Sequence, residues 1–326
     1  MELASKILKG DVLAAARLIS GIENEAPEAL EEINNLYPHI GRAHIIGVTG
    51  SPGVGKSTLA DNLVGFARSK NLTVGVIAID PTSAFTGGAI LGDRVRMQKR
   101  SADKGVFIRS LATRGWSGGL AKAALGAIHV MDAMGKDIIL VETVGSGQIE
   151  IDISRAADTT IVVLTPNSGD EIQMMKAGIL EAADIFVVNK ADKEGADIIK
   201  TNLEVMLAAR SALPGSWHSP IVMTEAIYGE GIGELVEEIF RHRGFLISSG
   251  ELKKRQRERA RLELMETVES VLNGFINGID KGDYLEKLVD DLSKGKTTPH
   301  SAALDITTRL ASDLHQLQFS GKNLET

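Results

Sequence analysis

The sequence predicts a doubly wound α/β domain on a mostly parallel sheet, with a helical extension before it and a helical arm after it. Between residues 44 and 248, short apolar runs alternate with longer amphipathic stretches, the rhythm of strand–helix repeats. Several of these runs are near-continuous Ile and Val, as in strands covered on both faces. A glycine-rich turn directly follows the first run and opens a helical stretch, an order typical of parallel α/β domains.

Residues 1–42 hold no strand-like run. Ile7, Leu8, Val12, Leu13, Ala16, Leu18 and Ile19 recur at helical spacing, and Leu30, Ile33 and Leu36 repeat the pattern, which predicts a short helical extension. The main domain spans 43–248, with strands expected at His44–Thr49, Thr73–Asp80, Asp137–Val144, Thr159–Thr165, Asp184–Asn189 and Pro220–Thr224. Residues 249–326 form the arm. Its first helix begins at Glu251 and carries six basic residues between Lys253 and Arg261, expected to be a solvated face. Leu264, Met265, Val268, Val271, Leu272, Phe275 and Ile276 then line one face, glycines at 274, 278 and 282 are expected to break the helix, and another is expected over 300–318. Such a stripe either packs on the main domain or forms an inter-subunit contact, and the second reading is favoured because a helical arm outside a complete α/β domain has little core of its own.

The 326 residues carry a net charge of −7, so no global positive field draws the chain to nucleic acid or an anionic membrane. With no cysteine, disulfides and thiolate metal sites are excluded. Apolar runs such as Ile138–Val141 fall far short of the roughly 20 residues of a membrane span, and Met1–Lys6 does not open a signal pattern. The expected location is the cytoplasm.

Gly50-Ser51-Pro52-Gly53-Val54-Gly55-Lys56-Ser57 matches the phosphate-loop pattern, with Thr58 opening the helix behind it. Glycines let backbone N–H groups curl around phosphates, the helix N-terminus adds partial positive charge, Lys56 reaches the β/γ oxygens and Ser57 holds Mg²⁺. Ser51 stands where deviant phosphate loops of partitioning ATPases carry an extra lysine. Asn189-Lys190-Ala191-Asp192 ends an apolar run, and a carboxylate there accepts the N1–H and N2 amino group of guanine, a donor pair that adenine lacks. Thr224-Glu225-Ala226 ends the next run, with a backbone N–H expected at guanine O6.

Glu142-Thr143-Val144-Gly145 places a carboxylate for Mg²⁺ and an N–H for the γ-phosphate, and Asp80 is a second carboxylate at a strand end. Asp93 lies in a Gly- and Thr-rich loop of the kind that orders around γ-phosphate and metal. Arg109, Arg114 and Lys176 are candidate charge stabilisers of phosphoryl transfer, of which Lys176, with Lys56 and Asp93, forms the expected catalytic set. Scattered histidines suggest no metal site, and Trp116 and Trp217 are expected to pack.

Beyond these motifs, Ile79–Ser83, Phe85–Arg94, Ala112–Gly115, Val141–Gln148, Gly169–Gln173 and Lys176–Gly178 resemble the GTPases that chaperone adenosylcobalamin-dependent methylmalonyl-CoA mutase, the MeaB type, also known as ArgK or LAO/AO transport ATPases. The resemblance implies GTP/GDP and Mg²⁺ as ligands, with Asp80, Asp93 and Glu142 at or around a metal held by Ser57. It further implies a homodimer made by the arm, and a loop at Thr165–Lys176 that relays nucleotide state to a cobalamin-dependent acyl-CoA mutase. The chain departs from the family pattern at Pro166–Asp170, at Ser146 and at Arg114–Gly118, in loops expected to face that partner. The competing reading, an ATP-dependent transport-system protein kinase, is disfavoured by Asn189–Asp192.

Overall fold

The computed structural model describes residues 2–80, 100, 102–112, 119–143, 155–166, 182–209, 215–279 and 284–319. Chain order gives α1 (Glu2–Ile7), α2 (Val12–Glu23), α3 (Pro27–Leu36), a 3₁₀ turn (Tyr37–His39), β1 (His44–Thr49), α4 (Lys56–Ser69), β2 (Val74–Asp80), β3 (Val106–Ala112), α5 (Gly119–Ala133), β4 (Ile138–Thr143), β5 (Thr159–Leu164) and β6 (Ile185–Asn189). There follow α6 (Ala196–Ala209), β7 (Ile221–Thr224), α7 (Ile232–Ser249), α8 (Glu251–Ile279), α9 (Tyr284–Ser293) and α10 (Pro299–Phe319). By internal packing these divide into one compact unit ending at Arg259 and another beginning at Ala260.

The strands form a seven-stranded sheet in the order β3-β2-β4-β1-β5-β6-β7, every pair parallel. Alternate residues of each strand enter opposite layers, as the two-residue period of a strand requires. Ile46, Val48, Ile138, Leu140, Ile161 and Val163 pack with Leu59 and Leu63 of α4 and Leu235 and Ile239 of α7. Their neighbours Ile45, Ile139 and Val141 face the other way, onto Ile128 and Met131 of α5 and Leu18 and Ile19 of α2. On that second face Val162, Leu164, Phe186 and Val188 meet Ile199 and Leu203 of α6. The N-terminal helices therefore complete one layer of the main core.

Six strands lie within a residue of the expected runs, but β3 was not expected. Arg109 and Ser110 interrupt its apolar run, and β3 tolerates them because it is the edge strand. Arg109 reaches out to α2, where its guanidinium donates to Ser20 Oγ at 2.8 Å and pairs with Glu23. The arm corrects two further expectations. Gly274 and Gly278 do not break α8, which runs unbroken to Ile279; an isolated glycine costs a helix only about 1 kcal/mol relative to alanine. α8 begins at Glu251 as expected, after Gly250, whose φ of +78° ends α7, and Gly282 lies outside the described residues. Nor is the basic run wholly solvated. Lys253, Lys254, Arg257 and Arg261 are exposed, whereas Arg255 and Arg259, one turn apart, face inward. Arg255 makes two 2.8 Å hydrogen bonds to the Asp184 carboxylate, and Arg259 lies 3.2 Å from Asp158.

In the second unit, Tyr284 donates to Asp305 at 3.1 Å and Arg309 sits 4.3 Å over the Tyr284 ring. Leu264, Met265, Val268, Val271 and Leu272 of α8 are each 41–62% exposed. Among the described residues, no helix is long and apolar enough to cross a membrane.

A buried polar chain closes the amino end of β5 and β6. The Thr159 hydroxyl bridges His44 Nε2 at 2.7 Å and His242 Nδ1 at 2.9 Å. The His242 ring lies 4.7 Å from the Trp217 ring, tilted by 53°, and the Trp217 indole N–H donates to the Asp184 carbonyl at 2.8 Å. Burial holds His242 down to about 4 against the opposing pull of Asp184, and burial, aided by Arg243 and His242, holds His44 down to about 3. The folded state thus favours neutral rings. The unfolded chain takes up these protons first as pH drops through about 6.5, so their contribution is complete above that pH and is lost toward 4 and 3. The melting temperature should fall between pH 6.5 and 4, and less steeply in His242→Asn than in the wild type, as thermal denaturation across that range would show.

Candidate functional site

Elements that carry chemistry converge at the carboxyl ends of β1, β4, β6 and β7, where open parallel sheets bind ligands. The loop after β1 is shaped by glycines that have no substitute. Gly50 has φ +143°, and a Cβ there would come within 2.2 Å of the Val163 carbonyl oxygen. Gly55 has φ +99°, and its Cβ would meet Asn189 Nδ2 at 2.3 Å. Gly55 is also the N-cap of α4 and has no side chain to cap the helix, so the helix start faces the cleft.

Lys56 is buried and its ammonium donates to the carbonyls of Gly50 at 2.5 Å and Ser51 at 2.9 Å, curled against the loop it would leave to meet a phosphate. Ser57, on the next position of α4, donates its hydroxyl to Glu142 Oε1 at 2.6 Å. Glu142 is buried near the end of β4, and Thr143 beside it donates to the Thr49 hydroxyl at 3.2 Å, locking the ends of β1 and β4 together.

Asn189 braces three loops. It is buried, donates Nδ2 to the Val54 carbonyl at 2.7 Å, and accepts at Oδ1 from the Thr224 hydroxyl and the Ala226 N–H, both at 3.1 Å. Lys190 adopts φ +58°, rare for a side-chain-bearing residue, and its ammonium donates to the Gly53 carbonyl at 2.9 Å. Asp192 follows, 3.8 Å from Lys193 Nζ. The turn after β7 is pinned by Asn62, which donates to the Ala226 carbonyl at 2.6 Å. Burial, Glu230 and Asp192 together push the Glu225 carboxyl above its usual range.

These parts enclose a cleft of about 560 Å³, the size of a nucleotide or cofactor pocket. It is lined by Gly53, Gly55, Lys56, Ser57, Thr58 and Glu142 from the loop after β1, α4 and β4, and by Asn189, Lys190, Asp192, Glu225 and Ala226 from β6 and the turns after β6 and β7. Of the other expected ligands, Val54 and Thr224 stand behind the wall as partners of Asn189, and Gly50 and Ser51 back the loop as acceptors for Lys56. The Ala226 N–H expected at guanine O6 is engaged with Asn189 Oδ1. Arg109 is not brought to the cleft, because its pairing with Glu23 ties it to α2. Asp93, Arg114, Gly145 and Lys176, and the side chain of Asp80, lie outside the described residues. Sequence reasoning missed Lys193, Ile227 and Tyr228, which line the rim; the last two are 78% and 74% exposed. Gly229 and Gly231, both at positive φ, were the available signal of a tight turn there.

Removing the brace should be costly before any ligand binds. Asn189→Ala removes three buried hydrogen bonds and should destabilise the nucleotide-free protein by about 2–4 kcal/mol, measured by chemical denaturation.

Comparison with known proteins places this geometry in a family. A family model described as "Methylmalonyl Co-A mutase-associated GTPase MeaB" matches residues 15–278. A putative GTPase of Pyrococcus abyssi is 50% identical over 304 residues, 93% of this chain and 94% of its own. The mitochondrial methylmalonic aciduria type A homolog of Caenorhabditis elegans is 30% identical over 321 residues, covering 93% of this chain and 80% of its own. A crystal structure of an LAO/AO transport system kinase shares the fold, with a TM-score of 0.70 over 95% of this chain and 97% of that one at 24% identity. The chain belongs to the MeaB family of methylmalonyl-CoA mutase-associated GTPases.

Proposed function

We propose that the chain binds GTP with magnesium in this cleft, hydrolyses it to GDP and phosphate, and uses the difference between the two states to gate cobalamin loading or protection of an acyl-CoA mutase, methylmalonyl-CoA mutase above all. The observation that carries the reading is the convergence of Lys56, Ser57, Glu142 and Asp192 in one cleft at the carboxyl edge of the sheet. The family description, which names methylmalonyl-CoA mutase, and the likeness to the methylmalonic aciduria type A homolog support the mutase as partner.

Lys56 leaves the loop carbonyls to neutralise the β/γ-phosphate oxygens, and the open start of α4 donates N–H groups to them. Ser57 and Glu142 place a hydroxyl and a carboxylate 2.6 Å apart, hard oxygen donors of the kind magnesium takes alongside phosphate and water. They would hold the ion with Asp80 and Asp93, and the ion would supply positive charge to offset the negative charge that develops on the phosphate oxygens. Asp93 and Lys176 complete the proposed catalytic set, and water attacks the γ-phosphorus in line with the departing GDP. Asn189, Lys190 and Asp192 hold the base, with the turn at Thr224–Ala226 beneath it. The exposed apolar stripe of α8 supports a homodimer through the arm.

No glutamine equivalent to the water-positioning residue of small GTPases is evident, so intrinsic turnover should be slow. Lys56→Ala should reduce phosphate release by 100-fold or more. Co-elution with the candidate mutase should differ between a non-hydrolysable GTP analogue and GDP; equal association in both states would remove the gating reading while leaving nucleotide hydrolysis standing.

A further inference from the structure

The turn after β7 places a second carboxylate beside the one assigned to the base. Glu225 and Asp192 line the same end of the cleft, and their loops hang from one shared hydrogen bond, Ala191 N–H to the Thr224 carbonyl at 3.1 Å. The Glu225 backbone is fixed on both sides. Its N–H donates to the Glu230 carbonyl at 3.1 Å, and its carbonyl accepts from Tyr228 at 2.9 Å and Gly229 at 3.0 Å. The Ala226 N–H is held by Asn189, so Glu225 cannot drift from the base end without breaking the brace. Its carboxylate feels those of Asp192 and Glu230. The nearby cations are Lys193, 3.8 Å from Asp192, and Lys190, whose ammonium is turned to the Gly53 carbonyl.

We propose that Glu225 is a second specificity-determining carboxylate of the base pocket: with Asp192 it makes the rim negative where guanine presents its N–H donors, and it penalises a base that presents a carbonyl oxygen there. The inference rests on the guanine reading of the cleft and extends it. Xanthine is the discriminating probe, because it carries oxygen at C2 where guanine carries the amino group. A donor edge relieves the repulsion between the two carboxylates, and an acceptor edge adds to it.

The test is the affinity of the full-length protein for GDP and XDP, with ADP as a reference, for the wild type, Glu225→Gln and Asp192→Asn. Glu225→Gln keeps size and removes charge at a half-buried position. It should lower the GDP-over-XDP preference by about five- to twenty-fold, the range for an added charge one base width away in partly screened solvent. That loss should shrink in part as salt is raised, because a charge at the open rim of the cleft is partly screened and a packing effect is not. An unchanged preference, or equal losses for GDP and XDP, would overturn the role of Glu225. If Asp192→Asn also leaves the preference for GDP over ADP and XDP intact, the guanine reading itself fails; if it abolishes that preference while Glu225→Gln does nothing, only the present inference does.

Discussion

Gly55 has no Cβ, and the space this leaves is filled by the amide of Asn189. From that position Asn189 reaches Val54 in the phosphate loop with its donor and Thr224 and Ala226 after β7 with its acceptor. Three loops from three strands are thereby fixed to one another by a single side chain. The distance between the phosphate end of the cleft and the base end is then set by the protein before a ligand arrives, which spares the ligand that ordering cost. A methyl group at Gly55 would collide with the amide and force a side-chain-bearing residue into a left-handed conformation, so the loop and the brace depend on each other.

The sheet transmits this order because β1 lies at its middle, between β4 and β5. β4 supplies Glu142 on one side, and β6 supplies Asn189 on the other. At the amino end of β6 stands Asp184, bonded to Arg255 of α8, whose other hydrogen bond goes to the Asp158 carbonyl ahead of β5. The strand that carries Asn189 is therefore clamped at both ends, by the brace at one and at the other by an ion pair whose carboxylate is buried. Such a pair adds little net stability against an apolar substitute, but losing one partner leaves a buried charge without compensation, so it fixes position more than it adds energy.

Much of this was legible in the sequence. Six strands stand out because each is apolar on both faces, and the phosphate loop and Asn189–Asp192 stand out because their spacing reflects what phosphate and guanine demand. What was hidden depends on tertiary partners. β3 contains Arg109, which looks like a charged interruption until Glu23 and Ser20 of α2 arrive to receive it. Arg255 and Arg259 are indistinguishable in sequence from their exposed neighbours, and only the carboxylates of Asp184 and Asp158 make them inward. Gly274 and Gly278 suggest a break that α8, as a long helix, absorbs. Asn189 was recognisable as part of a guanine motif, but its bracing role was not, since Val54, Thr224 and Ala226 are distant in sequence. The rim residues Ile227 and Tyr228 belong to no fixed pattern.

On the proposed function, one preformed cleft joins a phosphate cradle to a guanine reader. Displacement of a fluorescent GDP analogue from the full-length protein, by GDP and by ADP at matched concentrations with magnesium, tests it most directly. GDP should displace the probe at far lower concentration than ADP. Equal displacement by the two, or a probe that never binds, would contradict it.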